Sequence, residues 1–153
     1  PDTRTNGAGS IFRIYRDTRF SKAKMPYKTH LGIFLWDGRM KKLESRGFYF
    51  HIEPPNMILS AGMYRFTPDQ LAVYRDAVAD PKSGTALTRA IKKVTGVPGC
   101  AIGDPHYKRV PRGFDPDHPR AELLKHNGMY VFTEGPIPKE FTRSSLVDYC
   151  FDR

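Results

Sequence analysis

The sequence predicts an α+β domain, a mostly antiparallel sheet with helices from the second half of the chain packed against it. Two observations point there. Up to about Phe66 the apolar residues recur with period two in short β-branched and aromatic runs, whereas from Thr67 onward they recur at helical spacing. The strand-rich half is also punctuated by turn pairs rather than by crossover helices, which favours antiparallel neighbours.

Taken in order, residues 1–10 carry no periodic pattern and are expected to be a flexible N-terminal loop ahead of a single domain over 11–153. Ile11-Phe12-Arg13-Ile14-Tyr15 reads as a first strand. Leu31 to Trp36 reads as a second, ending at the turn pair Asp37-Gly38. Gly47 to Glu53 alternates strictly, with Phe48, Phe50 and Ile52 on one face and Tyr49, His51 and Glu53 on the other. Pro54-Pro55-Asn56 breaks that strand, and Met57 to Phe66 returns as another, with Gly62 as a bulge or a place of close approach.

Thr67-Pro68-Asp69-Gln70 then combines an N-cap, a proline at the first helical position and a glutamine three residues after the cap. Leu71, Tyr74 and Val78 share one face of the helix that follows. A second helix is expected from about Thr85 to Thr95, stopped by Gly96, and a short third one after Asp117-His118-Pro119. Met129 to Thr133 is a further strand, and Pro138 opens a last helix.

With 153 residues the chain can bury a core without staples. Its two cysteines, Cys100 and Cys150, have no metal-type spacing and no disulfide framework, which places it by default in a reducing cytoplasm. No apolar run is long enough to span a bilayer, and the first ten residues are not a signal peptide. They also lack an initiator Met, so the chain is expected to begin inside a longer protein. The formal net charge of +9 directs attention to acidic partners, since such an excess draws phosphate-bearing molecules and nucleic acid.

That charge is concentrated. Arg13, Arg16, Arg19, Lys22, Lys24 and Lys28 stand in sixteen residues with Asp17 as the only acid, interleaved with Phe12, Tyr15, Phe20 and Tyr27. If the segment stays extended, Arg13, Tyr15, Asp17 and Arg19 share a side, and the aspartate can hold a guanidinium by paired hydrogen bonds. A second cluster, Lys108, Arg109 and Arg112, lies in a loop punctuated by Pro111 and Gly113. Arg13, Arg16, Arg19, Lys22, Lys28, Lys108, Arg109 and Arg112 are therefore the candidate anion-binding residues. The bland counterpart is a solvated basic surface. Asp115 and Asp117, which follow the second cluster, suit a turn and a helix cap better than a metal.

Three function classes fit these residues. The leading one is binding of a phosphate-bearing ligand: a nucleotide, a phosphorylated metabolite or nucleic acid. The second is a hydrolase of a phosphorylated substrate, with Asp17, His51 and Glu53 as catalytic groups; a divalent metal enters only there, and no other cofactor or metal site is indicated. The third is a structural or interaction domain whose basic residues form ion pairs within the chain or between subunits. GxSxG, GxGxxG, HExxH and Walker-type phosphate loops are absent, and no membrane partner is implied.

The residues also carry a family resemblance. Ile11 to Lys22 with Pro26-Tyr27-Lys28-Thr29-His30, then Gly47 to Pro54, Ala61-Gly62-Met63-Tyr64 with Pro68, and Lys108 to Pro119 together resemble the family called domain of unknown function 2461. The resemblance covers most of residues 11–133. It implies a soluble α+β domain and an N-terminal helical region ahead of Arg13 that this chain lacks, and it supplies no mechanism. Two positions depart from the family pattern. Ala23 stands where an acid is usual, and Asn127 stands where a lysine is usual.

Overall fold

The alternating segment around Phe50 is the middle of a regular ladder. In the computed structural model, which describes residues 2–4, 7–19, 25–37 and 41–152, strand β1 (Leu31–Trp36) and strand β2 (Gly47–Glu53) pair antiparallel, with Phe34 opposite Tyr49 and Gly32 opposite His51. The link between them spans residues 37–46 and contains a short 3-10 turn at Lys42–Glu44, so Asp37-Gly38 does not close a two-residue hairpin; Gly38 itself lies outside the described residues. Strand β3 (Asn56–Met63) returns beside β2 after Pro54–Pro55.

Helix α1 (Pro68–Ala79) begins as its sequence requires. The Thr67 hydroxyl accepts from the Gln70 N–H while the Gln70 side chain accepts from the Thr67 N–H, which satisfies two donors that the helix start leaves unpaired. Helix α2 (Pro81–Thr95) starts four residues earlier than expected. The Asp80 carboxylate caps it by accepting from the Ser83 N–H at 2.6 Å, and Gly84 lies inside the helix where a side chain would strike the Arg120 guanidinium. Strand β4 (Cys100–Ile102), the one-turn helix α3 (Ala121–Leu124) and strand β5 (Met129–Pro136) follow. The expected last helix is two pieces, a 3-10 turn at Lys139–Thr142 and helix α4 (Leu146–Phe151).

The five strands lie in the order β1-β2-β3-β5-β4 and every neighbouring pair is antiparallel. Helix α2 packs on the edge strand β4, and α1 packs on α2 and α3. The fold is α+β. Val78 and Leu124 are fully buried within the helical layer, and Phe34, Ile52 and Met57 are the buried apolar positions of the sheet.

Strand register sorts the side chains into two faces. Phe34, Tyr49, Ser60 and Phe132 run in a row across one; Leu35, Phe48, Ala61 and Val131 run across the other. Phe48 is 70% exposed, whereas His51 on the opposite face has a side chain only 15% exposed. Burial therefore changes side along β2: at its start Phe48 is open, and at its end Ile52, on the same face as Phe48, is buried while Glu53 is exposed.

The expected strand from Ile11 to Tyr15 is replaced by two short bridged stretches. Around Ile11 the chain pairs with β1: the Phe12 N–H donates to the Gly32 carbonyl and the Phe34 N–H to the Ser10 carbonyl. By Ile14 it has changed partner. The Lys28 N–H donates to Ile14 and the Arg16 N–H to Pro26, bridging Tyr15 to Tyr27. Changing partner interrupts the ladder, and that is why no continuous strand forms.

Candidate functional site

A cavity of about 510 Å³ opens on the Tyr49 face of the sheet. The chain's change of partner builds its rim, because Phe12 is carried over the sheet edge while Lys28 and His30 enter on the way into β1. Aromatic rings supply most of the wall: Phe12, Phe34, Tyr49, Tyr64, Tyr130 and Phe132. Ile58, Ser60, Gly47 and Gly62 lie beneath them, and Leu43 completes the rim. Gly62 has φ +136°, and a side chain there would run into the Met129 carbonyl and the Tyr130 backbone, so close approach of β5 is what this position provides.

The Phe12 side of the cavity is pinned electrostatically. Lys42 Nζ lies 3.6 Å from the centre of the Phe12 ring and 5.8 Å from that of Trp36, and it donates to the Gly9 carbonyl. Burial pulls the Lys42 ammonium below its ordinary pKa, an effect that Asp2 opposes and Lys28 reinforces. Phe12 in turn meets Tyr49 edge-on, with ring centres 5.9 Å apart.

Along β2 the polar groups form a chain. The Tyr49 hydroxyl is 2.9 Å from His51 Nδ1, His51 Nε2 is 3.6 Å from Glu53 Oε2, and the Thr29 hydroxyl donates to Glu53 Oε1. The His30 ring stacks on that of His51, with centres 4.6 Å apart and planes 25° from parallel. Burial raises the Tyr49 pKa, so its hydroxyl stays protonated at neutral pH. His30 is lowered, first by burial and then by His51 and Lys28, while the Thr29 hydrogen bond is the main cause that lowers Glu53. Among the described residues, His30, His51 and Glu53 offer donor atoms all within 4.8 Å of one another.

Of the expected catalytic set, His51 and Glu53 are brought together. Asp17 is not in the group of donor atoms gathered at His51 and Glu53; it is gripped by Arg19 through two side-chain bonds of 2.9 and 2.6 Å and one from the Arg19 N–H at 3.2 Å. A carboxylate clamp on an arginine was legible, but the backbone bond makes it a local turn rather than an extended face. Arg13 and Arg16 are exposed, as are Lys108, Arg109 and Arg112, and of the described candidate cations Lys28 is the one that lines the cavity. Lys22 lies outside the described residues, together with Lys24 and Phe20. The tyrosine wall was missed, as was His30. Tyr130 lies beside Gly62 through strand pairing, and no local spacing announces that.

These elements define a class: an α+β domain carrying a ligand-sized, aromatic-walled cavity on the open face of an antiparallel sheet. The chain belongs to the family described as conserved hypothetical protein (DUF2461), whose model matches residues 2–152. No curated protein and no solved structure matches it. Among the described residues, no helix is long and apolar enough to cross a membrane.

Proposed function

We propose that this domain binds a phosphate-bearing small molecule, a mononucleotide or a phosphorylated metabolite, in the cavity on the Tyr49 face. The observation that carries the reading is Lys28, an ammonium in the wall of an otherwise largely aromatic cavity. A volume of about 510 Å³ suits one small ligand. The rings of Phe12, Phe34 and Tyr130 offer stacking surface for a flat body, and Lys28 offers a counter-charge for its anionic end. Arg13, Arg16, Lys108, Arg109 and Arg112, being exposed, act at longer range by raising the local concentration of anions.

A second reading, hydrolysis of a phosphorylated substrate, is favoured by the Tyr49–His51–Glu53 chain, which gives an imidazole oriented on both sides. Asp17, the third group of the expected catalytic set, is engaged by Arg19. The ion-pairing alternative accounts for Arg4, Arg19 and Arg46, each set against an aspartate, but exposed pairs of this kind contribute little to stability. A cytoplasmic location belongs to the same reading and is in keeping with two free cysteines.

The test is a thermal-shift screen of nucleotides, phosphosugars and short nucleic acids, repeated with Lys28→Ala. The expected result is a raised midpoint with a phosphorylated small molecule, nearly independent of salt, that Lys28→Ala abolishes. An unchanged shift in the variant would refute the site. A response confined to nucleic acid and falling steeply with salt would move binding to the exposed arginines.

A further inference from the structure

We propose that His30, His51 and Glu53 form a binding site for a first-row divalent cation of the Zn²⁺ type at the end of the cavity. Register brings the donors together. His51 and Glu53 are two residues apart on one strand face, and His51 lies opposite Gly32, so His30, two residues ahead of Gly32, comes to the same side. His51 Nε2 and Glu53 Oε2 are 3.6 Å apart. Two donors held at roughly 2.0–2.1 Å around a tetrahedral ion stand about 3.4 Å apart, so this pair already has the required span. The His30 donor lies within 4.8 Å of both.

The groups around the donors supply the second argument. With the Tyr49 oxygen accepting from His51 Nδ1–H, Nε2 is the nitrogen whose lone pair is available to an ion. Thr29 holds Glu53 Oε1 and leaves Oε2 turned toward His51. Metal-binding imidazoles and carboxylates are ordinarily fixed by outer partners of this kind. Two imidazoles with one carboxylate suit Zn²⁺ and its neighbours, whereas Mg²⁺ and Ca²⁺ prefer oxygen donors throughout. Three protein donors leave a coordination position open. His30 is itself part of the cavity wall, so the ion would sit beside the space a ligand would fill. The site rests on these side chains alone and stands whether or not the cavity takes a phosphate.

The experiment is calorimetric titration of the full chain, freed of metal by chelator, with Zn²⁺ alone, accompanied by the visible absorption of bound Co²⁺. The expected result is one equivalent of Zn²⁺ and a raised melting midpoint. Affinity should fall at least about tenfold in His51→Ala and in Glu53→Gln, and stay unchanged in His106→Ala. Glu53 has a side chain half exposed, so Glu53→Gln keeps the fold, and its metal-free melting midpoint verifies that. Absence of binding, or Zn²⁺ affinity unchanged in both Glu53→Gln and His30→Ala, would overturn the site and leave His51 and Glu53 as an ordinary ion pair. Tighter binding of Mg²⁺ than of Zn²⁺ would overturn it as well.

Discussion

Lys42 lies over the face of Phe12, with its Nζ 3.6 Å from the ring centre. The contact joins the link between β1 and β2 to the stretch before β1, two parts of the chain that share no strand pairing among the described residues. A cation held against an aromatic face contributes about 1 kcal/mol, and more where water is partly excluded. A double-mutant cycle of Lys42→Met and Phe12→Leu, read by urea denaturation, should therefore give a coupling of about 1 kcal/mol. Additive effects would show that the two side chains are merely neighbours.

Gly62→Ala should be among the most damaging single-methyl changes in the sheet. At φ +136° the new Cβ meets the Met129 carbonyl at 2.4 Å and Tyr130 Cα at 2.6 Å, both backbone atoms that cannot move without parting β3 from β5. A loss on the order of 2–3 kcal/mol is expected. Tyr130 should be displaced with it, so ligand affinity in the cavity falls even under conditions where the variant remains folded.

Arg120 closes the end of α1 by donating to the carbonyls of Val78, Ala79 and Asp80 at 2.6, 3.0 and 3.2 Å. Removing it leaves those acceptors without their charged donor, and Arg120→Ala should cost about 2–3 kcal/mol in chemical denaturation. Arg120→Lys should recover only part, since an ammonium cannot span three carbonyls as a planar fork does. Full recovery by lysine would refute the geometric account.

His126 gives a pH dependence. It is only 4% exposed, and burial lowers its pKa despite the opposing carboxylates of Asp104 and Glu122. The unfolded chain thus takes up a proton at His126 more readily than the folded one. Its contribution is fully present above the ordinary histidine value of 6.5 and is lost as pH falls through it toward the lower folded value. Melting midpoints from pH 7.5 to about 5 should fall more for the unaltered chain than for His126→Asn. Parallel curves would exclude His126 as the cause.

Local chemistry was legible in the sequence, and long-range pairing was not. The Thr67–Gln70 cap and the full span of β2 could be read because each depends on residues within a few positions of one another. Strand β4 was missed because three residues, Cys100–Ile102, have no measurable period. The start of α2 was misplaced because Gly84 resembles a loop residue until Arg120, from far along the chain, is seen to need its bare backbone. The same holds for the candidate site. His51 and Glu53 share a strand face, so their association was visible. His30 reaches them only through the Gly32–His51 register, which no local spacing announces.

The way the chain covers β1 has a consequence for how this domain can meet other molecules. Residues 10–12 already occupy hydrogen-bonding groups of Gly32 and Phe34 along the outer side of β1, and the opposite border of the sheet is the three-residue β4 with α2 packed on it. A bare strand border invites an extended peptide, or a second copy, to dock by backbone pairing. Here one border is partly spoken for and the other is too short to template a partner. Among the described residues, the sheet is thereby partly shielded from edge-to-edge growth, and its faces, with their side chains, are the broader surfaces it presents.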